Sequence, residues 1–263
     1  MGYETFSVKS LLRPVLFYGA DSGRFVSAFL MFYLFIPFLN ILVNNLNKGK
    51  HLFLILVCMY VYTIRGSVQG FEIGMNYVIW FSVIYIIGAY LSMYYEELPD
   101  LFINPRKNWV VLIIVLMLSL VSIYVGWEKF KTTGQGLHYY YLADSNKILA
   151  VALAIVSFLF FQSRTVKHSV VINALGGSTF GVLLIHANSD AMRKWLWSTI
   201  NPVGMYSSTK IYILSFACVL AIFVICSLME LVRKQIIEKP FFDIMGDKID
   251  GLEKRIKTLL HIA

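Results

Sequence analysis

Seven apolar runs divide the chain, and they constrain its fold more than any other feature of the sequence. They cover residues 25–43, 52–64, 77–95, 109–126, 148–161, 170–186 and 209–232. A helix needs about 20 apolar residues to cross a hydrocarbon core of ~30 Å, and four of the runs approach that length. Because the runs show no strict alternation of apolar and polar residues, we predict an all-α bundle of about seven membrane-spanning helices.

The composition agrees with a membrane protein. Hydrophobic residues make up 58% of the chain and charged residues only 14%, whereas soluble domains carry about 25% charged residues. The net charge of +8 therefore indicates basic loops that face anionic lipid, and we expect no nucleic-acid partner. Cys58, Cys218 and Cys226 all lie inside apolar runs, so they indicate neither a disulfide framework nor a metal site.

The second and fifth runs are short for a membrane crossing. Lys50 precedes the second run and Lys147 precedes the fifth. Lysine can bury its methylene stem in apolar surroundings while its ammonium group reaches the membrane interface. We therefore expect both short runs to span, with these two ammonium groups at the interface.

The runs divide the chain into three segments: an N-terminal juxtamembrane segment, 1–24, a membrane domain, 25–232, and a basic tail, 233–263. In the tail, apolar residues recur at helical spacing between basic ones. This pattern is typical of an amphipathic helix lying in the plane of the inner interface, and a partner-binding helix is the alternative.

The loops and tail set the expected orientation. If the C-terminus is cytoplasmic, six Lys and Arg residues in three loops and seven in the tail lie on the cytoplasmic side. The other ten of the 23 Lys and Arg residues then lie on the outer side. Basic residues are enriched on the cytoplasmic side. We therefore predict a cytoplasmic C-terminus.

The stretch NALGGSTFGVLLIH, residues 173–186, carries glycines at a spacing that favours close packing. Gly177 and Gly181 form a small-xxx-small pair, which lets two helices approach closely in lipid. Glycine also weakens a helix, so a broken or re-entrant segment is the alternative.

The sharpest candidate for chemistry lies in FGVLLIHANSDAMRKWLW, residues 180–197. If one helix continues through it, His186, Asp190, Arg193 and Trp197 share a face, and Asn188 lies nearby. An imidazole beside a carboxylate and a guanidinium can act as an oriented base or hold an anionic group. The alternative is an interfacial belt of His186 and tryptophans with an exposed Asp190–Lys194 pair.

Three further features have a functional and a structural interpretation. Trp80 and Tyr85 are candidate substrate-binding aromatics or ordinary core residues. Pro37 and Asn40 favour a kink and a cap in a membrane helix. The three consecutive tyrosines of the loop 134–146 can stack on a sugar or belong to an aromatic belt.

Four pieces of the sequence, in this order, resemble the acyltransferase family 3 integral membrane proteins. They are AFLMFYLFIPFLNILVNNL, NYVIWFSVIYIIGAYLSMYY, NALGGSTFGVLLIHANSDAMRKWLW and ELVRKQIIEKPFF. The similarity extends over most of residues 20–245, and the third piece is the most specific.

This resemblance implies transfer of an acyl group, usually acetyl, from acyl-CoA to a sugar hydroxyl of a bacterial surface polysaccharide. It implies a multi-pass protein of the bacterial inner membrane, with acyl-CoA as donor substrate and a polysaccharide or glycolipid as acceptor. Within it, His186 is the candidate catalytic base. Asn188, Asp190, Arg193 and Trp197 are candidate substrate-binding residues, together with Trp80 and Tyr85.

The chain departs from the family in one respect. Members typically have about ten membrane helices, and the first carries an Arg and a His that are the leading catalytic candidates. No segment here matches that helix, so the chain resembles a member without its N-terminal helices. We therefore expect activity only when that segment is supplied, and an inactive family member or a membrane scaffold is the alternative function.

The predicted orientation is testable with a topology reporter. We expect a reporter fused after Ala263 to read as cytoplasmic, because the tail carries seven of the basic residues and such residues remain inside. Alkaline phosphatase and a fluorescent protein, which are active on opposite sides, would measure it. A periplasmic signal would contradict the orientation.

Overall fold

The computed structural model describes residues 21–71, 74–134, 136–164, 167–187, 190–201 and 211–246, together with 248 and 251. Its α-helices are α1 Asp21–Asn44, α2 Lys48–Cys58, α3 Tyr77–Met93, α4 Asp100–Ile103, α5 Pro105–Thr133, α6 Ile148–Gln162, α7 Val170–Ala187, α8 Asp190–Ile200 and α9 Ile211–Arg233. Helix α2 continues as a π-helix, Met59–Ile64, and a 3₁₀ turn, Arg65–Ser67, while α9 continues as a π-helix, Lys234–Glu238. Shorter 3₁₀ turns are Tyr95–Glu97 and Tyr140–Leu142.

The predicted all-α membrane-type bundle is confirmed, since the described residues contain helices and no strand. Among these residues, four helical segments are long and apolar enough to cross a membrane: Phe25–Asn44, Pro105–Thr133, Val170–Ala187 and Ile213–Gly246. Helices α3 and α6 are apolar but shorter. The count of seven crossings therefore stays a prediction.

Asparagine and glycine set several of the helix ends. The side chains of Asn47, Asn76 and Asn104 accept hydrogen bonds from backbone N–H groups in the first turns of α2, α3 and α5. Those N–H groups have no partner inside the helix, so a side-chain acceptor stabilises the start. Pro105 follows the cap of α5, where its missing N–H costs nothing, and Gly134 ends α5 at φ 66°.

The described residues divide into two compact units, one within residues 24–167 and the other from residue 168 onward, with 21–23 assigned to it. The core of the first unit forms around α3. Trp80, Val83 and Ile87 lie on one face of that helix and pack with Val151 of α6. Trp80 is 1% exposed, so this aromatic ring is the centre of the core.

Lys147, at the start of α6, is enclosed by protein. Its Nζ donates to the carbonyl of Gly66 at 2.6 Å and lies 3.9 Å from the centre of the Tyr140 ring. Beside it, the Ile148 N–H donates to Ser67 Oγ at 2.9 Å. The expectation that the Lys147 ammonium reaches the interface is therefore wrong, because a carbonyl and an aromatic face bind the ammonium inside the unit. Lys50 is exposed.

Asn40 does not cap α1. It lies within that helix, and its Oδ1 accepts a hydrogen bond from the Tyr85 hydroxyl of α3. Pro37 is also inside α1. The expectation of a cap at Asn40 is therefore wrong, since its amide joins two helices instead.

Helices α7 and α9 form the body of the second unit. The chain remains helical from α9 through the π-helix Lys234–Glu238 to residue 246. Pro240 lies two residues after the end of the π-helix. A proline ring has no N–H and crowds the carbonyl four residues before it, so the wider π turn accommodates Pro240 without ending the helix.

Gly126 allows the loop after α5 to pack against that helix. A Cβ at this position would lie 2.2 Å from the carbonyl oxygen of His138. The His138 ring in turn packs against Trp127, with ring centres 5.4 Å apart. The loop position thus depends on the missing side chain.

We therefore expect Gly126→Ala to destabilise the protein by about 1–3 kcal/mol, which is typical of overpacking. Gly88→Ala in α3 is the matched control, because a Cβ there meets no atom within 4 Å, and alanine favours helix. Thermal unfolding of the detergent-purified variants measures both. Equal melting temperatures for the two variants would show that the loop yields to the methyl group.

Candidate active site

The imidazole of His186 is fixed by its own helix. His186 occupies the last turn of α7 and is half-buried. Its Nδ1 lies 2.6 Å from the carbonyl oxygen of Val182. A carbonyl can only accept, so Nδ1 carries the proton and donates it.

The tautomer follows from this contact. A neutral imidazole has one N–H, and Nδ1 uses it on the Val182 carbonyl. Nε2 is then the nitrogen with the available lone pair. A histidine general base requires this state, with one ring nitrogen held and the other able to accept a proton.

Two other candidates of this stretch lie in α8. Arg193 is half-buried and Trp197 is half-exposed, both in α8. Asp190 begins α8, and only its backbone is described, while Asn188 lies outside the described residues. Helix α7 ends at Ala187 and α8 begins at Asp190, so a single shared helical face stays a prediction.

Helix α7 packs against α9 through small and polar residues. The Ser178 and Ser227 hydroxyls are 3.2 Å apart, and Lys234 Nζ donates to the carbonyl of Gly177 at 2.6 Å. A Cβ at Gly181 would lie 2.1 Å from the carboxyl carbon of Glu230. We call this contact between α7 and α9 the polar seam.

The structure supports the close-packing interpretation at Gly181, whereas Gly177 is exposed and its carbonyl accepts a hydrogen bond from Lys234. Helix α7 runs unbroken from Val170 to Ala187, so it is not interrupted at either glycine. Gly181 is buried, and the space that its side chain would occupy holds the Glu230 carboxylate. The alternative of a broken segment is therefore wrong for these residues.

Glu230 is the charged group at the centre of the polar seam, and it is 4% exposed. Arg233 binds it through two hydrogen bonds of 2.7 Å, from Nε and Nη2. The same Nη2 donates to Glu238 at 2.5 Å. Residues five apart approach each other in a π-helix but not in an α-helix, so the π-helix brings Glu238 to Arg233.

The polar seam was not predicted from the sequence. In the sequence, Glu230 lies near the end of the apolar run 209–232, just before several basic residues. The available signal is that Ser227, Glu230 and Lys234 recur at i, i+3 and i+7, one face of a helix. A polar stripe on a membrane helix has to face protein or water rather than lipid.

The first unit contains the remaining predicted residues and one unforeseen histidine. Trp80 is buried in the core cluster and Tyr85 donates to Asn40, as expected for structural aromatics. His51 is fully buried, its Nε2 donates to the carbonyl of Ile86 at 3.0 Å, and its Nδ1 has no partner among the described residues.

The described part of the tyrosine loop gives its side chains different roles. Tyr140 holds the ammonium of Lys147, so one of its faces is occupied. Tyr139 and Tyr141 remain 42% and 44% exposed. These two rings have surface available for a sugar or for the membrane interface.

Gly181→Leu is expected to lower the yield and thermal stability of the membrane protein. A side chain there displaces a buried carboxylate that Arg233 holds in place, and leaving such a charge unpaired costs about 3–5 kcal/mol. Gly176→Leu is the control on the same helix, since Gly176 is exposed and a Cβ there meets no atom within 4 Å. Fluorescence-detected gel filtration of both variants provides the comparison. Two equally stable variants would mean that the seam does not hold the helices together.

Comparison with known proteins adds evidence that is independent of this geometry. The model of the acyltransferase domain of acyltransferase family 3 matches residues 22–230. Neither the curated proteins nor the solved structures gave a match to the chain. The matched region starts at the second residue of α1, includes α2 to α8 and extends into α9 as far as Glu230. The chain therefore belongs to acyltransferase family 3.

Proposed function

We propose that this protein transfers an acyl group, usually acetyl, from acyl-CoA to a sugar hydroxyl of a bacterial surface polysaccharide. The observation that carries the proposal is the match of the family's acyltransferase domain over residues 22–230. The long apolar helices support a setting in the membrane. We assign the protein to the bacterial inner membrane with its C-terminus in the cytoplasm.

In the proposed reaction, His186 Nε2 removes the proton of the acceptor hydroxyl while the oxygen attacks the thioester carbonyl. The tetrahedral intermediate collapses, its carbon–sulfur bond breaks, and the coenzyme A thiolate leaves. The imidazolium returns its proton to that thiolate, so the products are an ester and free coenzyme A. The contact between Nδ1 and the Val182 carbonyl supports this role, because it leaves Nε2 as the basic nitrogen.

The acceptor is proposed to bind beside helix α8. The Arg193 guanidinium offers planar donors to hydroxyl or anionic groups of the sugar. The indole of Trp197, half of which is exposed, offers a flat face to a pyranose ring. Asn188 and Asp190 supply further polar groups for the acceptor in this proposal.

Trp80 and Tyr85 have a weaker place in the proposed site. The indole of Trp80 is enclosed by core residues, and the hydroxyl of Tyr85 is engaged by Asn40. Their substrate-binding role stays a prediction. In it, the Tyr85 hydroxyl would give up its hydrogen bond to Asn40 and donate to the substrate instead. The half-buried ring of Tyr85 makes it the better candidate of the two.

His186→Ala is expected to reduce acyl transfer by about 10²–10⁴-fold, the usual contribution of a general base. His168→Ala is the matched control, because His168 is an exposed imidazole just before α7. Transfer of radiolabelled acetyl from acetyl-CoA to a polysaccharide acceptor measures both. The assay uses the full chain, alone and co-expressed with a family segment that carries the Arg and His.

Two results would change the proposal. Equal activity of His186→Ala and the unaltered chain would remove His186 from the chemistry while leaving the acyltransferase function in place. Absence of transfer from every donor and acceptor, with and without the added segment, would favour a membrane scaffold. Membrane expression of each variant is measured in parallel, so that a lost protein is not mistaken for a lost base.

A further inference from the structure

An open cleft in the first unit lies between the start of α5 and the end of α6. It is lined by Pro105, Arg106, Trp109, Phe160 and Arg164, and its volume is about 490 Å³. Sites for small molecules usually measure ~300–1,000 Å³. The cleft is thus large enough for a ligand of that class.

Two guanidinium groups and two aromatic rings form the walls of this cleft. The Arg164 guanidinium carbon lies 4.2 Å from the centre of the Phe160 ring. The Trp109 and Phe160 rings are tilted against each other, with centres 5.4 Å apart. Stacking on an aromatic face orients a guanidinium while leaving its N–H donors free to bind.

No ion pair among the described residues neutralises the positive charge of the cleft. Within the described residues, neither Arg106 nor Arg164 forms an ion pair, whereas the neighbouring Lys107 binds Asp100 at 2.5 Å. The start of α5 adds the positive end of a helix dipole at Arg106. An anion is therefore the ligand that the cleft favours.

The position of the cleft specifies the kind of anion. It lies where two neighbouring apolar helices begin and end, α5 at Pro105 and α6 at Gln162. Such helix ends reach the headgroup level of a bilayer, where basic clefts between helices bind phosphate groups of lipids. Trp109 is 49% exposed and Phe161 65% exposed, so apolar surface is available beside the charges.

From these observations we propose that the cleft binds the headgroup of an anionic phospholipid. The phosphate contacts Arg106 and Arg164 through paired N–H donors, and an acyl chain follows the exposed apolar side of α5 past Trp109. The openness of the cleft suits a lipid, which enters sideways from the bilayer. A soluble nucleotide such as coenzyme A is the competing ligand, and the experiment separates the two.

The test is native mass spectrometry of the detergent-purified full chain titrated with dioleoylphosphatidylglycerol. Arg106→Gln with Arg164→Gln is expected to weaken binding about fivefold for each arginine, the usual effect of one basic residue on an anionic headgroup. Lys129→Gln with Lys131→Gln is the control, since it removes the same charge at the other end of α5. Dioleoylphosphatidylcholine, which has a phosphate but no net charge, should bind more weakly than phosphatidylglycerol to the unaltered chain.

The remaining outcomes are decisive against the proposal. Equal phosphatidylglycerol binding by the unaltered chain and the double arginine variant would overturn it. If coenzyme A displaces the lipid from the unaltered chain and this displacement is lost in the double arginine variant, the cleft is a nucleotide site. That result would also overturn the lipid proposal. The single variants Arg106→Gln and Arg164→Gln are measured alongside, so a poorly folded double variant does not decide the result.

Discussion

A carboxylate enclosed between two apolar helices must be neutralised by the protein, because lipid offers neither water nor counterions. Arg233 neutralises Glu230 by donating two hydrogen bonds to its carboxylate. The arrangement in turn needs the empty side-chain position of Gly181 and the wider turn that brings Glu238 to the same guanidinium. The packing of α7, and with it the position of His186, therefore depends on one ion pair.

The first unit encloses a cation rather than an anion, and it stabilises that charge with different groups. Its enclosed cation, Lys147, donates a hydrogen bond to the Gly66 carbonyl and lies over the Tyr140 ring. A backbone carbonyl and an aromatic face each supply partial negative charge to an ammonium group. Both units thus keep an ionisable side chain inside an apolar bundle, and in the second unit Gly181 leaves the space that Glu230 occupies.

Local sequence patterns determined the helices but not the contacts between them. The seven apolar runs coincide with helices because apolar length and helix caps such as Asn76 act within one segment. Lys147 and Asn40 were assigned wrongly because their partners, Gly66 and Tyr85, lie 81 and 45 positions away. His186 was found as a polar residue at the end of a helix, whereas its bond to Val182 depends on a rotamer that no sequence pattern records.

That bond has a consequence for the path of the proton. A ring whose Nδ1 is occupied by the Val182 carbonyl takes up and releases protons at Nε2 alone, without turning over. The group that gives the proton and the group that receives it must therefore approach the same edge of the imidazole. In the reaction that we propose, the acceptor alcohol and the departing sulfur would therefore have to be present together, on one side of α7, during a single encounter.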